Sequence, residues 1–118
     1  MEIPRETADV WSRWFRALGD PSRILILNLL ATAGRPLHVQ EIVDRLDVGQ
    51  STVSHHLRIL ADTGFVLADR RGTRTLYRVN DRCLECFPSA AEVVMGLLPR
   101  YSARRERVPA PWIDEEAS

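Results

Sequence analysis

The sequence predicts one domain that is mainly α-helical and carries a small β-hairpin, an α+β architecture. Its 118 residues are enough for one hydrophobic core but too few for two domains. Several segments repeat apolar residues every three or four positions, which is the period of a helix buried on one face. In the segment "VLADRRGTRTLYRV", apolar and polar residues instead alternate on both sides of an Arg-Arg-Gly-Thr tip, as they do in paired strands. We expect the folded domain to cover residues 1–100 and residues 101–118 to form a flexible tail.

The composition is typical of a soluble globular protein, with 45% hydrophobic and 27% charged residues. Every apolar run is far shorter than the roughly 20 residues needed to cross a bilayer. The N-terminus begins acidic and no apolar stretch follows it, unlike a signal peptide. These features predict a cytoplasmic protein. In that setting its two cysteines are expected to be thiols, metal ligands or redox groups and not a structural disulfide.

The first predicted helix spans residues 7–18. Its apolar face is formed by residues at helical spacing, namely Val10, Trp11, Trp14 and Leu18. Two tryptophans on one short helix offer more apolar surface than a small core easily uses. We therefore expect this helix to pack partly against a second subunit.

Helix-start signals define the next two helices. Asp20 is the expected N-cap of the second helix, Pro21 its first residue, and residues 24–30 a buried stripe. The sequence "AGRP" then ends this helix. The segment "LHVQEIVDRL" predicts a third short helix, whose inward-facing residues are expected to be Leu37, Ile42 and Leu46.

A fourth helix and the hairpin follow. In "DVGQSTVSHHLRILADTGFV", Gly49 provides a turn, and Gln50 or Ser51 is expected to cap a helix that ends at Gly64. The apolar stripe of this helix is predicted to consist of Val53, Leu57 and Leu60. The hairpin after it is expected to have a loop longer than two residues.

The last predicted helix begins at Pro88. Ser89 and Glu92 have the spacing of a capping box at its start. Its apolar face is predicted to comprise Ala91, Val94, Met95 and Leu98.

The charge is unevenly distributed, although the net charge is zero. Between Ser51 and Arg82 there are six arginines and three aspartates, so this third of the chain carries a charge of +3. Two short helices joined by a glycine turn and followed by a basic hairpin are the plan of a winged helix-turn-helix. In this plan the fourth helix enters the major groove of double-stranded DNA with its N-terminal residues foremost.

The residues predicted to contact DNA form two groups. Side chains of the fourth helix that can address base edges are Gln50, Ser51, Thr52, Ser54, His55 and His56. Arginines expected at phosphates or in the minor groove are Arg58, Arg70, Arg71 and Arg74. The alternative is a winged helix that docks a protein, and the basic hairpin argues against it. An enzyme is not expected, because the sequence has no Gly-rich phosphate loop and no nucleophile with a suitable histidine and acid.

Three segments, "FRALGDPSRILILNLL", "GQSTVSHHLRILADTGFV" and "RRGTRTLYRV", resemble the ArsR/SmtB family of winged-helix repressors that respond to metals or metalloids. The resemblance implies a homodimer, held by its first and last helices, that binds an inverted repeat. It implies release when a metal, metalloid or oxidant reaches a sensor site, with no cofactor required for DNA binding. The residues expected in the dimer interface are Trp11, Trp14, Val94 and Leu98.

Two sensor sites known in the family are incomplete in this chain. Members that sense arsenic or cadmium carry Cys-Val-Cys at the start of the third helix, where this chain has His38 and Gln40. Members that bind zinc, nickel or cobalt carry Asp-x-His and then a His and a Glu in the last helix. Here Asp81 and Cys83 match the first pair, but two apolar residues stand at the later positions. The resemblance therefore implies neither of these two sites.

Cys83 and Cys86 are the remaining sensor candidates. Their i, i+3 spacing puts both thiols on one side of a helical turn, which Asn80 can cap. The helix N-terminus and Arg82 favour the thiolates, while Glu85 opposes them. Soft thiolates bind thiophilic ions, so As(III) or Sb(III), as arsenite or antimonite, is the expected inducer. The alternatives are a redox or persulfide switch at the same thiols, or two small buried side chains that sense nothing.

Overall fold

The computed structural model describes residues 2–97, and for residues 83–85 it describes the backbone alone. The predicted tail at residues 101–118 and the predicted interface residue Leu98 lie outside these residues. Five helices and three strands make up the described part of the chain. In chain order they are α1 (Arg5–Ala17), α2 (Pro21–Ala33), β1 (Leu37–His38), α3 (Val39–Leu46), α4 (Gln50–Asp62), β2 (Val66–Arg71), β3 (Arg74–Val79) and α5 (Cys83–Val94).

The α2 helix begins and ends where its capping residues predict. Oδ1 of Asp20 accepts hydrogen bonds from the backbone N–H of Ser22 at 2.8 Å and of Arg23 at 3.3 Å. Pro21 is the first helical residue, where its missing N–H costs nothing. Gly34 ends the helix with a φ of 75°, a left-handed conformation that glycine adopts without strain. The predicted cap and end of this helix are confirmed.

The core lies where α2, α3 and α4 pack together and against the sheet. Core side chains in this region that are each at most 4% exposed include Ile26, Leu30, Leu37, Ile42, Val53, Leu57, Leu60, Phe65 and Val66. The predicted apolar stripe of α4 is confirmed within this set. The predicted stripe of α2 is only partly buried, because Ile24 and Leu25 remain 51% and 55% exposed.

The sheet has three antiparallel strands in the order β1–β3–β2. β2 and β3 form the predicted hairpin, and Arg71 is paired with Arg74 at its tip. Only Gly72 and Thr73 remain in the loop, so the prediction of a loop longer than two residues is wrong. Gly72 has a φ of 63°, which suits the first central position of a tight hairpin turn with glycine there.

The sequence analysis did not predict β1. Leu37 pairs with Tyr77 of β3, and His38 pairs with Leu76. Two residues are too few to show the alternation by which a strand is recognised. The predicted third helix therefore loses its first two residues to the sheet and begins at Val39.

The α5 helix begins at Cys83 and not at Pro88, which lies inside it. A proline in this position removes one backbone hydrogen bond and usually interrupts a helix. Here Cys86 and Ala90, four residues apart, are 5% and 0% exposed, so one buried face continues through the proline. Core packing thus overrides the local stop signal. The predicted capping box is also wrong, because Ser89 is a buried residue within the helix.

Trp11 and Trp14 lie inside the core of their own protomer. They are 2% and 0% exposed in the single chain, and their ring centroids are 6.3 Å apart. Rings that their own chain buries leave no surface for a partner, so their predicted place in the dimer interface is wrong. Phe15 is instead an exposed apolar side chain of α1, with 39% of its surface accessible. Its ring centroid lies 5.3 Å from that of Phe87.

Candidate nucleic-acid interface and sensor turn

The face of α4 opposite the core carries polar side chains. Among the predicted base-contacting residues, those that are exposed are Gln50, Ser51, Thr52 and His55, and Ser54 is half-buried. Arg58 is exposed on the same side, close to His55 one turn earlier. The helix therefore presents hydrogen-bonding groups over its first turns, which are the part that reaches base edges in a helix-turn-helix.

The first turn of α4 has no side-chain cap. The N-cap is Gly49, in an extended conformation with φ of −62° and ψ of 155°, so the predicted cap by Gln50 or Ser51 is wrong. The backbone N–H groups of this turn therefore have no side-chain acceptor. Such groups, together with the positive end of the helix, suit a phosphate oxygen of a nucleic acid.

His56 differs from its exposed neighbour His55. It is 8% exposed, and its Nδ1 lies 3.2 Å from Nη1 of Arg23 on α2. Its Nε2 lies 4.0 Å from Oδ1 of Asp20. The prediction that His56 contacts DNA is wrong, because the ring lies on the buried side of α4. The sequence spacing indicates this burial, because His56 follows the buried Val53 by three residues and so lies on the same face of α4.

The carboxylate of Asp20 stands at the start of α2, beside this histidine. Burial opposes its ionisation, but the backbone hydrogen bonds from Arg23 and Ser22 outweigh that effect. Together with attraction to His56 and Arg23, they hold the pKa of Asp20 below its usual value. A negative charge is therefore maintained where α2 approaches α4.

The arginines of the wing, which we define as β2, β3 and their loop, lie on two faces. Side chains alternate along a strand, so Arg70 shares one face with its partner Thr75 and Arg71 shares the other with Arg74. Nε and Nη2 of Arg71 each lie 2.9 Å from Oδ2 of Asp69. Arg70 and Arg74 have no ion pair with the residues that the structure describes. They are therefore better placed than Arg71 to accept a phosphate as a partner.

An open polar cleft of about 290 Å³ separates the start of α4 from the wing. Gln50 lines it on the helix side, and Thr73, Arg74 and Thr75 line it on the wing side. The cleft thus brings a predicted base-contacting residue and a predicted phosphate-contacting residue to the same side of the molecule. This is the arrangement needed to contact one duplex with both.

Residues 20–67, which include α2, α3 and α4, match the family model described as "Bacterial regulatory protein, arsR family". An uncharacterised HTH-type transcriptional regulator of Methanocaldococcus jannaschii is 46% identical over 80 residues, which cover 67% of this chain and 89% of that protein. The chain belongs to the ArsR family. The resemblance to this family is confirmed. The predicted class of protein, a DNA-binding transcriptional regulator and not an enzyme, is confirmed as well.

Two further relatives are named as repressors. The HTH-type transcriptional repressor SmtB of Mycobacterium tuberculosis is 43% identical over 81 residues, which cover 69% of this chain but only 58% of SmtB. A probable mercury resistance operon repressor of Streptomyces lividans is 36% identical over 94 residues, covering 80% of this chain and 69% of that protein. These relatives place the chain among the transcriptional regulators of the ArsR/SmtB type.

A solved structure shares the fold. It is the homodimeric winged helix-turn-helix DNA-binding domain of a possible ArsR-family transcriptional regulator from Mycobacterium bovis. The two chains have a TM-score of 0.63 and are 30% identical, with 81% of this chain and 89% of the other covered. The winged helix-turn-helix predicted from the sequence is confirmed.

In this ArsR-family chain, the start of α3 is closed by an ion pair. Oε2 of Glu41 lies 2.6 Å from Nη2 of Arg35, and its Oε1 accepts from the backbone N–H of His38 at 3.2 Å. The hydrogen bond from Arg35 and that from His38 lower the pKa of Glu41 to about 2. Gln40 donates from Nε2 to Asp44 at 2.8 Å. The two residues that replace the family's cysteines are thus engaged in local bonds.

Cys83 and Cys86 lie in the first turn of α5, and we call residues 80–86 the sensor turn. Three-residue spacing in a helix places the two cysteines at neighbouring positions of one face. Cys86 is 5% exposed and belongs to the hydrophobic core. Its backbone N–H donates to the carbonyl oxygen of Arg82 at 3.1 Å. The predicted helical turn is confirmed, and its use as a ligand pair stays a prediction.

Asn80 joins the sensor turn to the end of α4. It is 1% exposed, and its Oδ1 accepts from the backbone N–H of Arg82 at 3.1 Å. Arg82 is itself the N-cap of α5 and no side chain caps the helix, so Asn80 bonds just before the helix and the predicted cap is wrong. Its Nδ2 donates to the carbonyl oxygen of Gly64 at 2.9 Å. Its backbone N–H donates to the carbonyl oxygen of Phe65, also at 2.9 Å. The link to Gly64 and Phe65 was not predicted, because a contact between residues sixteen positions apart leaves no local pattern.

Two further properties bear on the kind of site. Among the side chains that the structure describes, no three His, Cys, Asp or Glu residues lie together in a group that could hold a metal ion. Within residues 2–97, no helix is long and apolar enough to span a membrane.

Proposed function

We propose that this chain is a homodimeric, cytoplasmic repressor that binds an inverted-repeat operator in double-stranded DNA. We propose further that it dissociates when a thiophilic inducer reaches Cys83 and Cys86. One observation carries the DNA-binding part: α4 buries Val53, Leu57 and Leu60 and exposes a polar side, next to a wing whose Arg70 and Arg74 form no ion pair with the described residues. Solvation of a polar helix face does not explain the basic hairpin beside it, whereas contacts of its arginines with phosphates do.

The side chains of this face have distinct proposed roles. Gln50 can address adenine through both atoms of its amide, and the hydroxyls of Ser51, Thr52 and Ser54 can address several base edges. His55 lies beside them. The residues proposed to contact phosphates are Arg58, Arg70 and Arg74, with a weaker role for Arg71 because Asp69 already neutralises it.

A second copy of the chain is the proposed partner of an exposed apolar surface on α2 and α5. The described side chains proposed for it are 51% to 75% exposed in the single chain and comprise Ile24 and Leu25 of α2, Val94 at the end of α5, and Met95 and Leu97 just after it. Leu98, predicted from the sequence, is proposed with them. Large apolar side chains left in water are the kind of surface that a partner subunit would cover. In a twofold dimer the two α4 helices would lie about 34 Å apart, which is one turn of DNA. The relative from Mycobacterium bovis is homodimeric, in support of this arrangement.

Release is proposed to begin at the sensor turn. Because Cys86 is buried, an ion held by both thiolates favours a state in which the first turn of α5 has moved out of the core. Such a movement displaces Arg82 from Asn80, and Asn80 is also bonded to Gly64 at the end of α4. A coupling of about 1–3 kcal/mol between inducer and DNA would change operator affinity roughly 5- to 150-fold.

The proposed inducer is As(III) or Sb(III), supplied as arsenite or antimonite, because soft thiolates select soft ions. The relative named for mercury resistance supports a thiophilic ion as the class of inducer. A redox or persulfide switch would use the same thiols. It differs in one testable way, since peroxide would then release the DNA and a dithiol reductant would restore binding.

The DNA-binding proposal is tested by fluorescence anisotropy with a labelled duplex that the wild-type protein selects from a random pool. We expect Arg74→Ala to weaken binding to selected and scrambled duplexes equally and to lower the salt slope by about 1. We expect Gln50→Ala to weaken binding to the selected duplex alone, by about 1–3 kcal/mol.

Arg13→Ala is the matched control, since Arg13 is an exposed arginine on α1, away from the wing. Binding that ignores both salt and sequence would contradict the proposal and favour a protein as the partner of the wing.

A further inference from the structure

The guanidinium of Arg23 joins three helices beside α4. Arg23 belongs to α2, and its Nε donates to the carbonyl oxygen of Ala17, the last residue of α1, at 2.5 Å. A cation is favourable there because the last carbonyl groups of a helix carry partial negative charge. Its Nη1 lies 3.2 Å from Nδ1 of His56 on α4. The helices α1, α2 and α4 therefore meet at one side chain.

This contact defines the role of Nδ1 of His56. A guanidinium has donors only, so Nδ1 is the acceptor in this hydrogen bond. Nε2 lies 4.0 Å from Oδ1 of Asp20, whose negative charge favours a ring turned this way. Because the residue is 8% exposed, water hardly competes for the bond between Arg23 and His56.

We propose that Arg23 and His56 form a positioning pair that sets the rotation of α4 about its axis. The inference rests on the proposed role of α4 in reading DNA. The apolar contacts that Val53, Leu57 and Leu60 of α4 make with the core have no preferred direction. A hydrogen bond to a ring nitrogen does have one. Gln50 lies six positions from His56, about 9 Å along the helix, so a small rotation at the pair displaces the base-contacting groups.

A positioning pair differs from a purely structural hydrogen bond in what its loss changes. The loss of a structural bond lowers stability and reduces binding to every duplex by the same factor. The loss of a positioning pair leaves the phosphate contacts of the wing and weakens the base contacts of α4. The ratio of affinities for selected and scrambled DNA therefore separates the two roles.

The test uses the full chain and four variants: His56→Leu, His56→Asn, Arg23→Met and the double variant Arg23→Met with His56→Leu. Anisotropy gives the affinity for the selected and the scrambled duplex at one salt concentration, and circular dichroism gives the folded fraction. We expect His56→Leu and Arg23→Met to lower the ratio about tenfold, as the loss of one good base contact does. Non-specific binding should not change.

Three controls sharpen the result. His56→Asn keeps an acceptor near the position of Nδ1 and should restore most of the ratio. The double variant should be no worse than either single variant, because all three lose the same bond. Arg13→Met, an exposed arginine of α1, should leave the ratio unchanged.

Equal losses on both duplexes in folded variants, or additive losses in the double variant, would overturn the inference. If His56→Leu does not fold, Arg23→Met decides by the same ratio. A wild-type protein that binds selected and scrambled DNA equally would instead contradict the proposed function, so the two failures are distinguishable.

Discussion

The first turns of α3 and α5 differ in their side chains: one is closed by an ion pair and the other carries two cysteines. At α3, Glu41 accepts hydrogen bonds from both Arg35 and His38, so the charged groups satisfy one another. At α5, the first turn carries two cysteines and is tied to the rest of the chain through Asn80. A sensor needs ligands that can change partners. The difference supports a structural role for the start of α3 and supports our proposal that the inducer binds at the sensor turn.

The largest expected effect is a difference in stability between core substitutions in α3 and in the sensor turn. Ile42 of α3 is 0% exposed, and Ile42→Ala should lower the free energy of unfolding by about 2–5 kcal/mol through the cavity that it leaves. Cys86→Ala removes only a sulfur from the core and should cost clearly less. Urea denaturation measures both. Equal costs for the two variants would mean that the sensor turn is packed as firmly as α3.

A smaller effect is expected at Asn80. Asn80→Ala leaves the carbonyl oxygen of Gly64 and the N–H of Arg82 without this partner, at a cost of about 1–3 kcal/mol in the free energy of unfolding. Asn28→Ala on the exposed side of α2 is the matched control and should change stability by at most about 0.5 kcal/mol. If the two variants are equally stable, Asn80 does not tie the sensor turn to α4.

The smallest expected effect is the contribution of the Glu41 carboxylate to stability, which is lost at low pH. The pKa of Glu41 is lowered from its ordinary value of 4.5 to about 2 by its hydrogen bonds from Arg35 and His38. Its contribution to stability is therefore fully present above about pH 4.5 and is lost as the pH falls towards 2. The urea midpoints of wild type and Glu41→Gln should converge over this interval. A difference that stays constant from pH 5 to pH 2 would show that the ion pair does not hold α3.

Local signals were sufficient for the parts of the fold that depend on neighbouring residues. Asp20, Pro21 and Gly34 predicted the limits of α2, and the apolar spacing predicted which side of α4 is buried. The same periodicity could have placed His56 on the buried side of α4, but the polar side chain suggested a contact with DNA.

Other features depend on contacts that no local pattern contains. Pro88 predicted a helix start. However, α5 continues past it, because residues before and after the proline are buried on one face. Trp11 and Trp14 were expected to exceed the capacity of a small core, yet their own protomer buries both. The bond from Asn80 to Gly64 joins residues far apart in the sequence. At the candidate site, the sequence therefore predicted which residue types are present but not which of them face inward.

The central claim, release of DNA through the sensor turn, is tested most directly by anisotropy of the reduced protein on its selected duplex during titration with arsenite. Wild type, Cys83→Ser, Cys86→Ser and His38→Gln should all bind the duplex before arsenite is added. Arsenite should then release wild type and His38→Gln but neither serine variant. Release of both serine variants, or no release of wild type, would contradict the account.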